Sequence, residues 1–215
     1  MSRVFIVSAP SGSGKSTLVK RLLARDERLI FSISYTTRLP RGHEVNGQEY
    51  HFISRQEFEQ RIANDEFLEW ADVFGNYYGT HCGILERGRS EGKDVVLDID
   101  VKGARQLKEK IPDAVSIFIL APSRDELVNR LQARSEDSEE VIARRVAGAA
   151  VEIKDYRLYD FVLVNDHVDE ASELLQAIVQ AERSGIRDPR VEALRRADPA
   201  VMAKVGQILA SFEAN

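Results

Sequence analysis

A glycine- and serine-rich segment near the amino terminus joins a strand-like stretch, Val4–Val7, to a helical pattern that begins at Leu18. In such a segment small residues let successive backbone N–H groups turn toward an anion, and the following helix directs its positive end there. The pattern predicts a loop that binds the phosphates of a nucleoside triphosphate, the alternative being a glycine-rich turn without a ligand. The predicted loop residues are Ala9, Pro10, Ser11, Gly12, Ser13, Gly14, Lys15, Ser16 and Thr17.

The last residues of this loop supply its charge chemistry. An ammonium at Lys15 can bridge the β- and γ-phosphates, and the Ser16 hydroxyl is placed to ligate the Mg²⁺ that accompanies a nucleotide. Ala9 stands where the pattern usually has its first glycine, so the backbone there must be open to a residue with a Cβ.

Continuous apolar runs recur along the chain with helical patterns between them. Such runs are typical of strands buried on both faces of a parallel sheet. Together with the phosphate loop they predict an α/β protein with the P-loop NTPase fold, a doubly wound parallel sheet forming its core. The runs are Val4–Val7, Val95–Ile99, Val115–Leu120 and Phe161–Val164.

The length of 215 residues suits one α/β domain with insertions. We expect a domain over residues 1–183, with its core in 1–30, 83–122 and 151–183, and a helical extension over 184–215. Residues 31–82 form a small mixed β insertion and the charged residues 123–150 a helical lid. Two helices, 191–196 and 201–212, are predicted in the extension, which we expect to carry no chemistry.

Composition excludes several functional classes. A net charge of -5 argues against a protein that grips nucleic acid over its bulk surface. The single cysteine, Cys82, excludes an intrachain disulfide, and the four histidines have no zinc-like spacing. No apolar stretch approaches the roughly 20 residues needed to span a bilayer, and no signal segment is visible. We therefore expect a cytoplasmic monomer or small homo-oligomer with no nucleic acid or membrane partner.

Two carboxylates, Asp98 and Asp100, close the apolar run that begins at Val95. Residues two apart on a strand point the same way, so the pair is expected to share a face. One can hold Mg²⁺, directly or through water, while the other orients an acceptor. The alternative is an ordinary capped loop after a strand.

The most specific pattern spans the 17 residues from Thr36 to Phe52. Here the sequence resembles the guanylate kinase family, whose signature is a Thr-Ser/Thr-Arg start, a basic residue, an acid, a glycine and a final Tyr-x-Phe/Tyr. The resemblance covers roughly residues 3–182, including Glu69 and the run Phe74–Thr80. The matching positions are Thr36, Thr37, Arg38, Arg41, Glu44, Gly47, Tyr50 and Phe52.

The chemistry of this segment fits a nucleoside monophosphate. Arg38 and Arg41 offer planar forks to a dianionic phosphate, and Tyr50 and Tyr78 can donate hydroxyls to its remaining oxygens. From the residues alone, the arginines could instead be a solvated pair with weak surface ion pairs.

The resemblance implies that the base is selected at Ser34, Glu69, Thr80 and Asp100. A carboxylate at Glu69 accepts hydrogen bonds from guanine N1–H and from the exocyclic amine, whereas adenine presents an acceptor at that edge. Thr80 can add a donor to guanine O6. From the residues alone, Glu69 could be an ordinary surface acid, so its role rests on the resemblance.

In the predicted lid, the family's arginines correspond to Arg134 and Arg145, with Arg130 a further candidate at the ATP site. Closure would bring their charge to the transferring phosphoryl group and exclude water. The alternative is a salt-bridged helix surface, and the family's glycines beside the first arginine are Ala133 and Ser135 here. Asn165 matches a family position near the ATP adenine, although Asn-Asp after a strand is often a turn.

The resemblance implies a guanylate kinase that transfers the γ-phosphoryl group of ATP to GMP, and also to dGMP, with Mg²⁺. Lys15, Arg38, Arg41, Asp98, Asp100, Arg134 and Arg145 would be its catalytic residues. Two alternatives remain: an inactive binding module of the same fold, and a kinase for another acceptor. The intact Gly14-Lys15-Ser16 disfavours the first, and Glu69 with Thr80 disfavours the second.

Overall fold

The structure, a computed structural model, describes residues 2–73, 75–134 and 138–213, without the side chain of Arg134. Its strands are β1 Val4–Ser8, β2 Leu29–Phe31, β3 Tyr35–Thr36, β4 His51–Phe52, β5 Phe67–Val73, β6 Asn76–His81, β7 Asp94–Asp98, β8 Val115–Leu120 and β9 Phe161–Val164. Its α-helices are α1 Lys15–Arg25, α2 Arg55–Ala63, α3 Gly83–Glu91, α4 Val101–Lys110, α5 Arg124–Arg134, α6 Glu139–Ile153, α7 Val168–Ser184, α8 Pro189–Glu192 and α9 Pro199–Glu213.

The chain divides into two compact units. The first unit runs up to Phe5 and then from Glu27 to Ala114, and the second comprises Ile6–Asp26 and the chain from Val115 onward. Strand β1 therefore begins in the first unit and ends in the second.

The first unit contains two kinds of pairing. Strands β2 and β7 run parallel, with Ile30 opposite Val95. A separate four-stranded sheet has the order β4-β3-β6-β5 and is mixed, since β3 pairs parallel with β4 and antiparallel with β6. This mixed sheet lies within the predicted insertion over 31–82. Its core includes Phe58 of α2, which is fully buried and stacks on Phe67 with ring centroids 4.4 Å apart.

The second unit pairs β8 and β9 in parallel, from Ile117 opposite Phe161 to Leu120 opposite Val164. All six residues of β8 are buried, as expected for a strand covered on both faces. Helices α5 and α6 share a smaller apolar cluster. It consists of Ala121, Leu127, Leu131, Ile142, Val146 and Ala149, with Val128 and Phe212 packed against it.

The four predicted apolar runs all form strands of the parallel sheet, as β1, β7, β8 and β9. The predicted α/β class, with a parallel sheet, a smaller mixed sheet and helices, is therefore confirmed.

One predicted helix is wrong in its bounds. The helix expected over 191–196 spans Pro189–Glu192 instead, with Asp188 as its N-cap and proline at its first position. Its continuation is prevented because Leu194 and Arg196 form backbone hydrogen bonds with Val162 and Asp160.

Over the described ranges, none of the helices combines the length and the apolar character needed to cross a lipid bilayer.

Candidate active site

The phosphate-loop segment lies in the second unit and turns sharply before α1. Gly12 and Gly14 have φ values of +92° and +89°, in the region that side chains with a Cβ rarely adopt. The Ser13 amide donates to the Pro10 carbonyl at 3.2 Å, and Lys15 and Ser16 are the first two residues of α1. Ala9 does not have a positive φ, so the alanine fits where the pattern usually has glycine.

Asn165 holds this loop from the end of β9. Its side chain is 3% exposed and donates from Nδ2 to the Ser13 carbonyl at 2.8 Å. A Cβ on Gly14 would lie 2.3 Å from the same Nδ2 atom, so the approach requires glycine. Asn165 is thus buried and supports the phosphate loop. Its contact with adenine stays a prediction.

Two of the predicted lid arginines reach the same region. Arg145 on α6 donates to the Ser11 hydroxyl at 2.7 Å from Nη2. Arg130 on α5 donates to the Asn165 carbonyl at 3.0 Å and forms an ion pair with Glu126 at 2.7 Å. The third predicted arginine, Arg134, and the neighbouring Ser135 fall outside what the structure describes of side chains. Arg130 and Arg145 are therefore more than a solvated helix face.

A groove of about 520 Å³ opens beside the loop. In the described part of the chain, Asn165 Oδ1 and Arg130 Nη1 are buried without a hydrogen-bond partner, and both residues line this groove. Buried polar atoms of this kind ordinarily find a partner, here one that a ligand can supply. The groove is also lined by Gly12, Gly14, Thr17, Ala133, Asp166, His167, Val168 and Asp169.

A cluster of charged and phenolic side chains lies in the first unit around Arg38. The Arg38 side chain is 9% exposed and is held by Glu44 through two parallel hydrogen bonds of 2.9 Å. Its Nε donates to the Tyr78 hydroxyl at 3.2 Å, which leaves the Tyr78 proton for another acceptor. The hydrogen bond from Arg38 is the main cause that lowers the pKa of Glu44, so this partner remains an anion.

Tyr50 and Arg41 also belong to this cluster, Tyr50 through its ring and Arg41 through its backbone. The Tyr50 ring lies edge-on to Tyr78 at 5.8 Å, with the Arg38 guanidinium 5.3 Å from its centroid. Burial raises the pKa of Tyr50, which keeps its hydroxyl protonated as a donor. The Arg41 side chain is exposed, and its backbone N–H donates to Glu44 at 2.7 Å. Glu44, expected from the sequence only as part of the signature, therefore contacts both arginines.

Glu69 is buried rather than a surface acid. It is 5% exposed, and its Oε1 accepts a hydrogen bond of 2.5 Å from the hydroxyl of Thr80, which is fully buried. The residues are neighbours because β5 pairs with β6 in the register that places Glu69 opposite Thr80. Burial raises the pKa of Glu69 from 4.5 to about 7, and the nearby Asp100 carboxylate adds to the rise.

Gly103 also belongs to the cluster around Glu69, and it is not among the site residues expected from the sequence. A Cβ there would lie 2.5 Å from Glu69 Oε2, so the first turn of α4 admits the carboxylate only because the residue is glycine. No signal in the sequence marks it, since a glycine in a helix carries no sign of a partner brought near by tertiary packing.

Asp98 and Asp100 do not share a strand face as predicted. Asp98 is the last residue of β7, whereas Asp100 lies beyond the strand and caps α4, accepting from the Gly103 amide at 2.7 Å. The cap fixes the Asp100 carboxylate beside Glu69. Ser34, the remaining predicted residue, precedes β3, and its carbonyl accepts from the His51 amide at 2.9 Å.

A parallel α/β sheet and a glycine-rich loop leading into α1 define the class of P-loop proteins. A statistical model of the guanylate kinase family matches residues 1–182. The chain is 55% identical over 183 residues to the guanylate kinase of Koribacter versatilis, covering 84% of this chain and 78% of that protein. It is 51% identical over 181 residues to the guanylate kinase of a Shewanella species, covering 84% and 87%.

Among solved structures, the chain is similar to the crystal structure of guanylate kinase from Anaplasma phagocytophilum. The TM-score is 0.71 with 34% identity, over 88% of this chain and 89% of that one. The chain belongs to the guanylate kinase family, and the resemblance inferred from the sequence is confirmed. It is accordingly an enzyme of the nucleoside monophosphate kinase class.

Proposed function

We propose that the chain transfers the γ-phosphoryl group of Mg-bound ATP to GMP, and to dGMP, giving ADP and GDP. Membership of the guanylate kinase family supports the reaction. The buried Glu69–Thr80 pair is the observation that carries the choice of guanine. We also propose a cytoplasmic location, because these nucleotides are held there.

The second unit would bind the donor. The loop Ala9–Thr17 would hold the phosphates of ATP, with Lys15 taking up charge on the transferring group. Arg145, already bonded to Ser11 of the loop, and Arg134 would add positive charge to the same group. Asn165 and Arg130 would face the rest of the nucleotide, supported by their buried unpartnered atoms in the groove.

The first unit would bind the acceptor phosphate. Tyr78 and Tyr50 would donate their hydroxyl protons to its oxygens, while Arg38 and Arg41 would supply charge. Glu44 uses both arms of the Arg38 guanidinium, so the arginine is fixed before the ligand arrives. Because these donors are already ordered, little binding free energy is lost in ordering them. Fixed donors also hold the acceptor phosphate aligned as the nucleophile.

Glu69 would select the base. Guanine offers two N–H donors to one carboxylate, and their hydrogen bonds stabilise the ionised form, so GMP binding would lower the pKa that burial has raised. Adenine would leave the buried carboxylate facing an acceptor, a loss that discriminates strongly. Thr80, Ser34 and Asp100 would complete the base site, with Asp100 held by its cap to Gly103.

The oxygen ligands that Mg²⁺ prefers are present in each unit. Ser16 is exposed at the start of α1, and Asp98 ends β7, while Asp100 has one oxygen engaged in its cap. We assign Ser16 as the direct ligand of the ion. When bound, the ion neutralises charge on the phosphates of ATP.

The experiment that tests the donor assignment is Lys15→Ala, with Lys20→Ala on the exposed face of α1 as the matched control. We expect Lys15→Ala to lower turnover by at least about 100-fold, as loss of a preorganised charge does. GMP binding measured by calorimetry should stay nearly unchanged. Unchanged turnover would remove Lys15 from the mechanism, and loss of turnover in both variants would make the effect non-specific.

A further inference from the structure

The carboxy-terminal helix α9 packs on the two helices that bear Arg130 and Arg145. Contacts join α9 to both α5 and α6. The helix lies beyond residue 182, where the match to the guanylate kinase family ends. The family's reaction therefore leaves its role unexplained.

The chain between α8 and α9 is fixed to the edge of β9. The Val162 amide donates to the Leu194 carbonyl at 2.9 Å, and the Arg196 amide donates to the Asp160 carbonyl at 3.1 Å. The Arg195 guanidinium lies 4.7 Å from the centroid of the Phe161 ring. These contacts attach the segment before α9 to β9, the strand that Asn165 follows.

Two residues in the last turn of α9 contact α5 and the apolar cluster that it shares with α6. The Ser211 hydroxyl accepts a hydrogen bond of 3.0 Å from the amide of Arg124, the first residue of α5. That amide has no partner within its own helix, so Ser211 stabilises the start of α5. Phe212 packs against the apolar cluster shared by α5 and α6.

The same cluster touches the phosphate loop. A Cβ at Gly12 would lie 3.1 Å from Leu131 of α5, so the cluster against which Phe212 packs also borders the loop. Val146, another member, is next to Arg145, whose guanidinium donates to Ser11. Helices α5 and α6 thus meet the loop on one side and α9 on the other.

We propose that Phe212 and Ser211 are positioning residues for the donor-phosphate site, holding α5 and α6 against the loop. The inference rests on the proposed roles of Arg130 and Arg145. Removing the Phe212 ring leaves space beside the cluster, which lets α5 and α6 move away from the loop. The arginines would then spend less time where ATP phosphates bind, and ATP affinity would fall.

The test uses Phe212→Ala, the conservative Phe212→Leu, Ser211→Ala and the control Met202→Ala in the full chain. Met202 lies on α9 with half of its surface exposed, away from the cluster. We expect Phe212→Ala to raise the KM for ATP about fivefold and to speed amide exchange in α5 and α6 about fivefold. The KM for GMP should change less than about twofold, and Phe212→Leu should restore most of the ATP value.

A merely structural role gives a different result. If Phe212→Ala lowers Tm while the KM for ATP and the exchange of α5 and α6 match those of Met202→Ala, the proposal is wrong. If Phe212→Ala does not fold, Ser211→Ala must still raise the KM for ATP and exchange at the start of α5, or the proposal fails. Arg145→Ala separates this outcome from failure of the proposed function. Unchanged turnover in Arg145→Ala refutes the role of that arginine, whereas lost turnover with an inert Phe212→Ala refutes only the positioning by α9.

Discussion

Replacing Glu69 by glutamine should change how the stability of the protein depends on pH. The Glu69 carboxyl is 5% exposed, bonded to Thr80 and close to Asp100, and burial raises its pKa to about 7. In Glu69→Gln the amide oxygen can still accept from the Thr80 hydroxyl, but the side chain no longer titrates. The difference between the two proteins therefore isolates the titration of one group.

The direction of this pH dependence follows from the pKa of Glu69 in the unfolded chain and in the folded protein. In the unfolded chain the carboxyl loses its proton near its ordinary pKa of 4.5, whereas the folded protein keeps the proton until about pH 7. Between these values the folded state binds more protons, so the free energy of unfolding falls as pH rises and levels off above 7. At about 1.4 kcal/mol per pH unit, the total loss of unfolding free energy is on the order of 3 kcal/mol, and most of it falls between pH 5 and pH 8.

Urea unfolding measures this directly, with the single tryptophan, Trp70, as a fluorescent probe next to the altered position. Both proteins are unfolded at pH 5, 6, 7 and 8, and the difference in unfolding free energy is plotted against pH. Glu109→Gln, an exposed position on α4, is the matched control. A difference that stays constant to within about 0.5 kcal/mol would refute the claim that burial holds the Glu69 proton.

Three further substitutions test the proposed GMP and ATP sites. Glu69→Ala should reduce the preference for GMP over AMP by at least about 100-fold, measured as the ratio of kcat/KM values, and an unaltered ratio would end its base-selecting role. Gly103→Ala places a Cβ 2.5 Å from Glu69 Oε2 and so displaces the carboxylate. We expect GMP binding, measured by calorimetry, to weaken about tenfold while ATP binding is unchanged. Equal GMP affinity in the variant would show that the carboxylate need not be held there. Gly14 has a φ of +89°, and the Cβ of an alanine there would lie 2.3 Å from Asn165 Nδ2, so Gly14→Ala should lower turnover about 100-fold. Wild-type turnover in this variant would contradict the support of the loop by Asn165. Gly206→Ala, which has open space around it, is the control for both glycine substitutions.

The fold was predictable where one stretch of sequence decides the local structure. Continuous apolar runs gave β8 and β9 their bounds, because a strand buried on both faces needs no polar position. Strand β2 has only three residues, too few for a periodic pattern, and it exists through its pairing with β7. The end of α8 depends likewise on hydrogen bonds to β9 from a segment that has no strand pattern of its own.

The site was predictable at the level of motifs and less so at the level of contacts. The glycines of the phosphate loop are dictated by backbone conformation, which the sequence records. The burial of Glu69, by contrast, arises from the register of β5 on β6 and from the first turn of α4, which lies far from Glu69 in sequence. Asp100 was misplaced on the strand for the same reason, since its capping of α4 depends on where β7 ends.

We conclude that this chain phosphorylates GMP and selects it by its base. The most direct measurement is ADP production from Mg-bound ATP by one preparation supplied with GMP, AMP, UMP or no acceptor. We expect rapid ADP production with GMP and little with AMP, with UMP or without an acceptor. Equal rates with AMP and GMP, or no ADP with GMP despite measurable GMP binding, would contradict it.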